Sequence, residues 1–307
     1  MNKLKIMVAG WLCFILSVQL YAVNLESVYT QRPDDPEAFY FTSDHYNIKA
    51  DGKMDVSDTL QKAINQVKQE KNFGILFIPE GKYKISKTIY VPGAVRLIGY
   101  GKNRPEFILA KNSPGFQEEK PDDKGKATYM FWFTGGIVEP GGPVRDANAG
   151  TFYSAMSNIN LRIEDGNPHA VALRTHYAQH SFISHVTVYI GKGKAGLFDV
   201  GNEMENLAFF GGDYGIYTTK ASPGWQVMMV DAYFEGQRVA ALRCQESGLA
   251  MVNLQVKNVP AVFDIDVNYA DRLFVENSRF ENVKHAAVII SNENNSNNQI
   301  TFRNVEW

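Results

Sequence analysis

The sequence predicts an all-β fold, a single-stranded right-handed parallel β-helix with an N-terminal capping α-helix, and three observations carry that prediction. A short phrase returns seven times, as Asn158-Ile159-Asn160-Leu161, His185-Val186-Thr187-Val188, Asn206-Leu207-Ala208-Phe209, Asp231-Ala232-Tyr233-Phe234, Asn253-Leu254-Gln255-Val256, Asn277-Ser278-Arg279-Phe280 and Asn304-Val305-Glu306. Its first positions lie 27, 21, 25, 22, 24 and 27 residues apart, about one solenoid coil each. A second phrase interleaves with it from a small residue: Ala170-Val171-Ala172-Leu173, Ala195-Gly196-Leu197-Phe198, Gly215-Ile216-Tyr217, Ala240-Ala241-Leu242, Ala261-Val262-Phe263 and Ala286-Ala287-Val288-Ile289. Each coil therefore carries at least two period-two strands, β-branched and aromatic between Gly or Asn punctuation. Handedness follows from the general rule for parallel crossovers.

Stacked coils turn like positions into columns. Asn158, His185, Asn206, Asp231, Asn253, Asn277 and Asn304 form one; their residue types suit left-handed or bridge dihedrals at a turn, with side chains bonding between coils. In the strand that follows, positions one and three face inward and positions two and four outward. The outward sets are Asn160, Thr187, Ala208, Tyr233, Gln255 and Arg279, then Arg162, Tyr189, Phe210, Glu235, Lys257 and Glu281.

In chain order, residues 1–22 combine a short basic start with an apolar run ending at Leu20-Tyr21-Ala22, the pattern of a secretory signal peptide cleaved after Ala22. The expected location is periplasmic or extracellular. Residues 23–46, punctuated by Pro33 and Pro36, are expected to lie along the solenoid as an arm, and residues 47–307 form the β-helix domain. Leu60, Ala63, Ile64 and Val67 fall at helical spacing after Ser57 and Asp58, either of which can cap the N-terminus, with Gln61 in the first turn. The apolar face of that helix is expected to plug the first coil. Four strands between Gly74 and Gly101, separated by Pro-Glu-Gly, Ser-Lys and Pro-Gly turns, are read as the first coil.

The run from Ala50-Asp51-Gly52 through Thr59-Leu60, Gly74-Ile75-Leu76-Phe77-Ile78-Pro79-Glu80-Gly81-Lys82-Tyr83 and Val95-Arg96-Leu97-Ile98-Gly99-Tyr100-Gly101 resembles the opening of a known domain. That domain is the pectate-lyase-like one of rhamnogalacturonase, epimerase and glycoside hydrolase family 55 proteins. Tyr177-Ala178-Gln179-His180-Ser181-Phe182 and Phe209-Phe210-Gly211-Gly212-Asp213-Tyr214-Gly215 are similar to segments of family 55 laminarinases. The resemblance implies an exo-acting β-1,3-glucanase ancestry, places Gln179 near the attacking water, and puts the catalytic acid in a second β-helix beyond Trp307. The chain reaches Trp307 within a coil it has begun, so a further C-terminal domain of the same chain is expected.

Between residues 111 and 154 a polar insertion with Gly141-Gly142-Pro143 is expected to wall a groove, with Asp122 and Asp123 solvated among lysines and Tyr129–Phe133 a buried strand. A net charge of −2 gives no basic footprint for nucleic acid, and the six histidines are not spaced as a metal motif. No cofactor, metal or membrane partner is expected after signal cleavage; the expected partner is a polysaccharide. Of the two cysteines, Cys13 leaves with the signal and Cys244 has no intramolecular mate.

Two surfaces are candidates for chemistry. One is the outward strand face bearing Tyr233 and Glu235. The other is the set of turns between the second and first phrases, with His176, Gln179 and His180, then Asp199 and Glu203, then Trp225 and Gln226, then Glu246, then Asp271. Turns two coils apart stand about 10 Å from each other, near the separation at which an inverting glycosidase seats a water between acid and base. Glu203 and Glu246 are the expected catalytic pair, with Gln179 placing water, Trp225 stacking a sugar, and His176, His180 and Gln226 in the binding surface. The alternatives are a polysaccharide lyase, for which Arg243 beside Asp264 is the nearest base, and a noncatalytic glycan-binding solenoid. A polygalacturonase-type arrangement is disfavoured, since neither paired strand aspartates nor Gly-His-Gly is found.

Overall fold

The computed structural model describes residues 23–199, 202–219, 227–291 and 297–307. The expected signal peptide, Trp225 and Gln226 lie outside the described residues. The first elements are β1 (Phe39–Tyr40), β2 (Asp51–Asp55), α1 (Ser57–Lys71), β3 (Gly74–Pro79), β4 (Lys82–Ile85), β5 (Ile89–Pro92), β6 (Val95–Tyr100), β7 (Glu106–Leu109) and β8 (Thr128–Thr134). They continue with β9 (Ala155–Ile163), β10 (Ala170–Arg174), β11 (Phe182–Gly191), β12 (Ala195–Phe198), β13 (Glu203–Gly211), β14 (Tyr214–Tyr217) and β15 (Val227–Glu235). The last are β16 (Ala240–Cys244), β17 (Leu249–Ile265), β18 (Arg272–Ile290) and β19 (Gln299–Glu306).

Every paired strand runs parallel to its neighbours, and the registers join like positions of successive coils: Ile159↔Val186↔Leu207↔Ala232↔Leu254 on one side, Leu173↔Leu197↔Ile216↔Leu242↔Phe263 on another. This is a parallel β-solenoid with three strand faces. Face A comprises β1, β3, β6 and the segments before the asparagine column, and face B comprises β2, β4, β7 and the segments after it. Face C comprises β5, β8, β10, β12, β14, β16 and the ends of β17 and β18. One expectation needs correction here. Val95–Tyr100 pairs in register with Gly74–Pro79, so it opens the second coil and does not complete the first.

The inward positions read from the sequence are buried, including Leu161, Val188, Phe209, Phe234, Val256 and Phe280. The column residues Asn158, His185, Asn206, Asp231, Asn253, Asn277 and Asn304 all adopt φ between 50° and 57°. That left-handed corner turns face A into face B, and Asn tolerates it better than most L-residues. Asn253 donates to Asp231 at 2.6 Å and Asn304 to Asn277 at 2.7 Å.

The N-terminal arm lies on this corner. Asn158 Oδ1 accepts from the Val28 amide and Asn158 Nδ2 donates to Ser27 Oγ. The buried Arg104 donates to the carbonyls of Asn24 and Glu26 and to Thr187. The arm also contributes a strand, since Phe39–Tyr40 pairs with Leu76–Phe77.

Helix α1 buries Leu60, Ala63, Ile64 and Val67 against the first coils. Its capping differs from expectation, because neither Ser57 nor Asp58 caps the end and Val56 stands at the cap position. Asp55 accepts instead from the amide and hydroxyl of Ser57, while Gln61 spans to the backbone of Tyr90 through both amide atoms.

Candidate active site

On face C, alternate residues point outward, and one outward column runs Tyr90, Trp132, Arg174, Phe198, Tyr217, Arg243, Asp264. The 111–154 insertion covers its first half. Arg174 is buried among the rings of Trp132, Phe198 and Tyr129, with its guanidinium carbon 4.7 Å, 4.9 Å and 4.9 Å from their centroids. It donates to Asp123 at 2.6 Å and to both oxygens of Asp146 at 3.0 Å and 2.8 Å. Burial opposes the charge on Arg174, yet the facing carboxylates and Tyr129 hold its pKa above the ordinary arginine value. Asp123, expected to be solvated, is thus an anchor. Tyr129 and Trp132, expected in a buried strand, face this clasp, and Trp132 Nε1 donates to Asp146 at 2.7 Å.

His176 joins the same cluster. Its Nδ1 lies 3.5 Å from Asp146 Oδ2, and its buried Nε2 meets no partner among the described residues. The bond to Asp146 raises the imidazole pKa against the opposing effect of burial. Burial pushes the Asp146 carboxyl up, but hydrogen bonds from His176, Arg174 and Trp132 outweigh it and hold the acid below its usual range.

Beyond Phe198 the column opens to solvent. Tyr217 lies under the Arg243 guanidinium at 4.4 Å, with the half-buried Lys194 ammonium 5.5 Å from the same ring. Arg243 is the register partner of Asp264 and forms an ion pair with Asp266 at 2.5 Å. Asp266 also accepts from the Gln245 amide group. Its own backbone amide still donates to the Cys244 carbonyl, so the extended path of β17 continues through it.

Paired strand aspartates, not expected from the sequence, are therefore present: Asp264 and Asp266 are alternate residues on one extended segment, with their side chains on the same outer surface, about 7 Å apart at Cα by strand rise. The two carboxyls differ in surroundings. Asp266 is fixed by a cation and an amide, whereas Asp264 accepts no hydrogen bond from the described residues. Burial raises the Asp264 pKa, Arg243 opposes the rise and Asp266 adds to it. Paired carboxyls in unlike environments are the arrangement from which acid and base roles arise.

The residues expected from sequence are dispersed. Glu203 opens β13 and Glu246 occupies a left-handed turn position at φ 56°; both are exposed. The register puts Met228 in the coil between them. Asp199 accepts from the amide and hydroxyl of Thr219, and Asp271 accepts from the amides of Ser247 and Gly248 and from the Ser247 hydroxyl. Those two acids are committed to turns. Gln179 Oε1 is buried without a partner among the described residues, and His180 is exposed and stacks on Tyr153. Tyr233 donates to Glu235 at 2.8 Å on face B, where Arg162, Tyr189 and Phe210 continue a stacked column. That surface lies on a different face from Asp264 and Asp266.

The fold defines the class as a parallel β-solenoid. The chain belongs to the rhamnogalacturonase A/epimerase, pectate lyase-like family, whose model matches residues 41–264. No curated protein matches it. Among solved structures, the iota-carrageenase of family GH82 from A. fortis is 14% identical with a TM-score of 0.55, over 82% of this chain and 60% of that one. A surface adhesin of Streptococcus pneumoniae is 14% identical with a TM-score of 0.47, over 87% of this chain and 77% of that one. These likenesses are of fold, and the chain spans 60% of the carrageenase's length.

Proposed function

We propose that the protein is a secreted polysaccharide hydrolase that cleaves glycosidic bonds on the open part of face C, with Asp264 as general acid and Asp266 as general base. The observation that carries this reading is the unlike pair itself. A carboxyl whose pKa burial raises is the better placed of the two to give a proton to the leaving oxygen, and the one paired with Arg243 can activate water on the opposite side. Tyr214, edge-on to Tyr217, is the nearest ring for the sugar, and Arg243 keeps Asp266 aimed.

The 111–154 insertion, clasped over Trp132 and Arg174, blocks one end of face C and favours action near a chain end. The laminarinase resemblance makes β-1,3-linked glucan the first substrate to test. Lyase chemistry with Arg243 as base is disfavoured by its geometry: a guanidinium held against Asp266 acts as a fixed cation. Glu203, exposed at the start of β13, and Glu246, on an exposed turn, fit less well than the face C pair.

The test is reducing-end release from laminarin and from pectic and sulfated polysaccharides, with ultraviolet absorbance of the products followed in parallel. Release without absorbance supports hydrolysis; absorbing unsaturated ends on a uronate polymer would assign a lyase.

A further inference from the structure

The N-terminal arm climbs the asparagine corner from coil to coil. The Tyr29 carbonyl accepts from the Gly101 amide at 2.8 Å. One coil on, Asn158 accepts from the Val28 amide at 3.0 Å and donates to Ser27 at 2.9 Å. Arg104 then donates to the carbonyls of Glu26 and Asn24. Two coils beyond Asn158, the Asn206 side chain exchanges two bonds with the Asn24 backbone, 2.6 Å to its carbonyl and 3.0 Å from its N–H. Leu25, Val28 and Tyr29 are 48%, 38% and 44% exposed, so hydrogen bonds, more than apolar burial, hold this part of the arm.

The climb has a fixed rate. Val28 and Asn24 meet column residues two coils apart, so two arm residues advance one coil. At about 4.8 Å per coil, the Val23 nitrogen stands about 2.4 Å beyond the Asn206 level and about as far short of the next. That next column residue is Asp231, the one acid in the column from Asn158 to Asn304. It accepts from Asn253 Nδ2 at 2.6 Å and makes no ion pair among the described residues. A carboxylate there gives up the donor that an asparagine would offer a peptide carbonyl and gains where a cation arrives. The other ionisable groups at this corner are Glu205, His185 and Arg104. Burial lowers the His185 pKa, Arg104 lowers it further, and Glu205 and Asp231 oppose them, so a cation beside Asp231 sits on the acidic side of the corner.

We propose that removal of residues 1–22 leaves an ammonium on Val23 that pairs with Asp231 and latches the arm to the corner. Before the cut the same atom is a neutral peptide nitrogen with no charge to offer. Chain termini stay loose unless tied down, and the cut supplies the tie at the far end of the arm. A cut after Asn24 would discard both bonds to Asn206, and one well before Ala22 would carry the charge past Asp231. Processing and closure of the arm are thus one event. This inference rests on the secreted reading above and not on the chemistry of face C.

The test uses the full chain, expressed with residues 1–22 and recovered after export. Intact mass gives the first residue, and the rate at which an acetylating reagent modifies the α-amine near neutral pH is read from the N-terminal peptide. Asp231→Asn installs the commonest residue of the column, one that tolerates the left-handed corner. The expected result is a chain that begins at Val23 and whose α-amine reacts about three- to ten-fold more slowly in the wild type than in Asp231→Asn, a tenfold change being one pKa unit gained from a facing carboxylate. Added salt should narrow that gap. A chain that begins at Val23 but reacts equally fast in both proteins overturns the latch while the export reading stands. A chain that keeps residues 1–22, or begins elsewhere, overturns the processing and the latch with it.

Discussion

Asp264 is the carboxyl on which the proposed chemistry turns. Its folded pKa stands above the ordinary carboxyl value because burial disfavours the anion, with Arg243 opposing and Asp266 reinforcing. A group raised in the folded state contributes stability that is present below its unfolded pKa and is lost as pH rises through the folded one. Asp264→Asn has no such loss. Its melting temperature should therefore gain on wild type between acid and neutral pH, seen in thermal scans across that range, while cleavage disappears. In the wild type, kcat/KM should fall as pH rises through the Asp264 pKa, since the acid must hold its proton. A second residue-scale outcome concerns the corner column. Asn253→Ala places an alanine at φ 57° and removes the bond to Asp231, which should cost about 1–2 kcal/mol in chemical denaturation.

The insertion is the element whose behaviour depends most on charge. Asp123 and Asp146 bring it down onto Arg174, whose side chain is 6% exposed. Removing the arginine leaves two carboxylates without their cation, so Arg174→Met should cost about 3–5 kcal/mol and open residues 111–154 to limited proteolysis. His176 tunes the same clasp. Its pKa is raised by Asp146, so its contribution is complete below the ordinary imidazole pKa and is lost as pH rises through the elevated one. Protease cleavage in the insertion should then quicken from mildly acid to mildly alkaline pH in the wild type and lose that dependence in His176→Gln. None of this was legible locally. Asp123 reads as a loop acid because its partner lies 51 residues away in sequence, and only the solenoid register brings the two together.

For the whole molecule, repetition made the architecture legible: the column of Asn158 to Asn304, the inward Leu161 to Phe280 and the outward Tyr189 to Glu235 all follow from counting. The catalytic candidates were not legible in the same way. Asp264-Ile265-Asp266 reads as ordinary alternation at a strand end. The cue lay in applying period two to the second phrase as well, which sets Arg243, Asp264 and Asp266 on one surface. Acids in polar turns resemble site residues in the sequence, yet Asp199 and Asp271 bind backbone amides. The most direct test of the central claim compares Asp264→Asn and Asp266→Asn with Glu203→Gln and Glu246→Gln for rate of reducing-end release on a polysaccharide the wild type cleaves. Loss of at least about a hundred-fold in each aspartate variant, with both glutamate variants near wild type, is the predicted result. Full activity in Asp264→Asn or Asp266→Asn, with loss in Glu203→Gln or Glu246→Gln, would contradict it and move the chemistry to the turns.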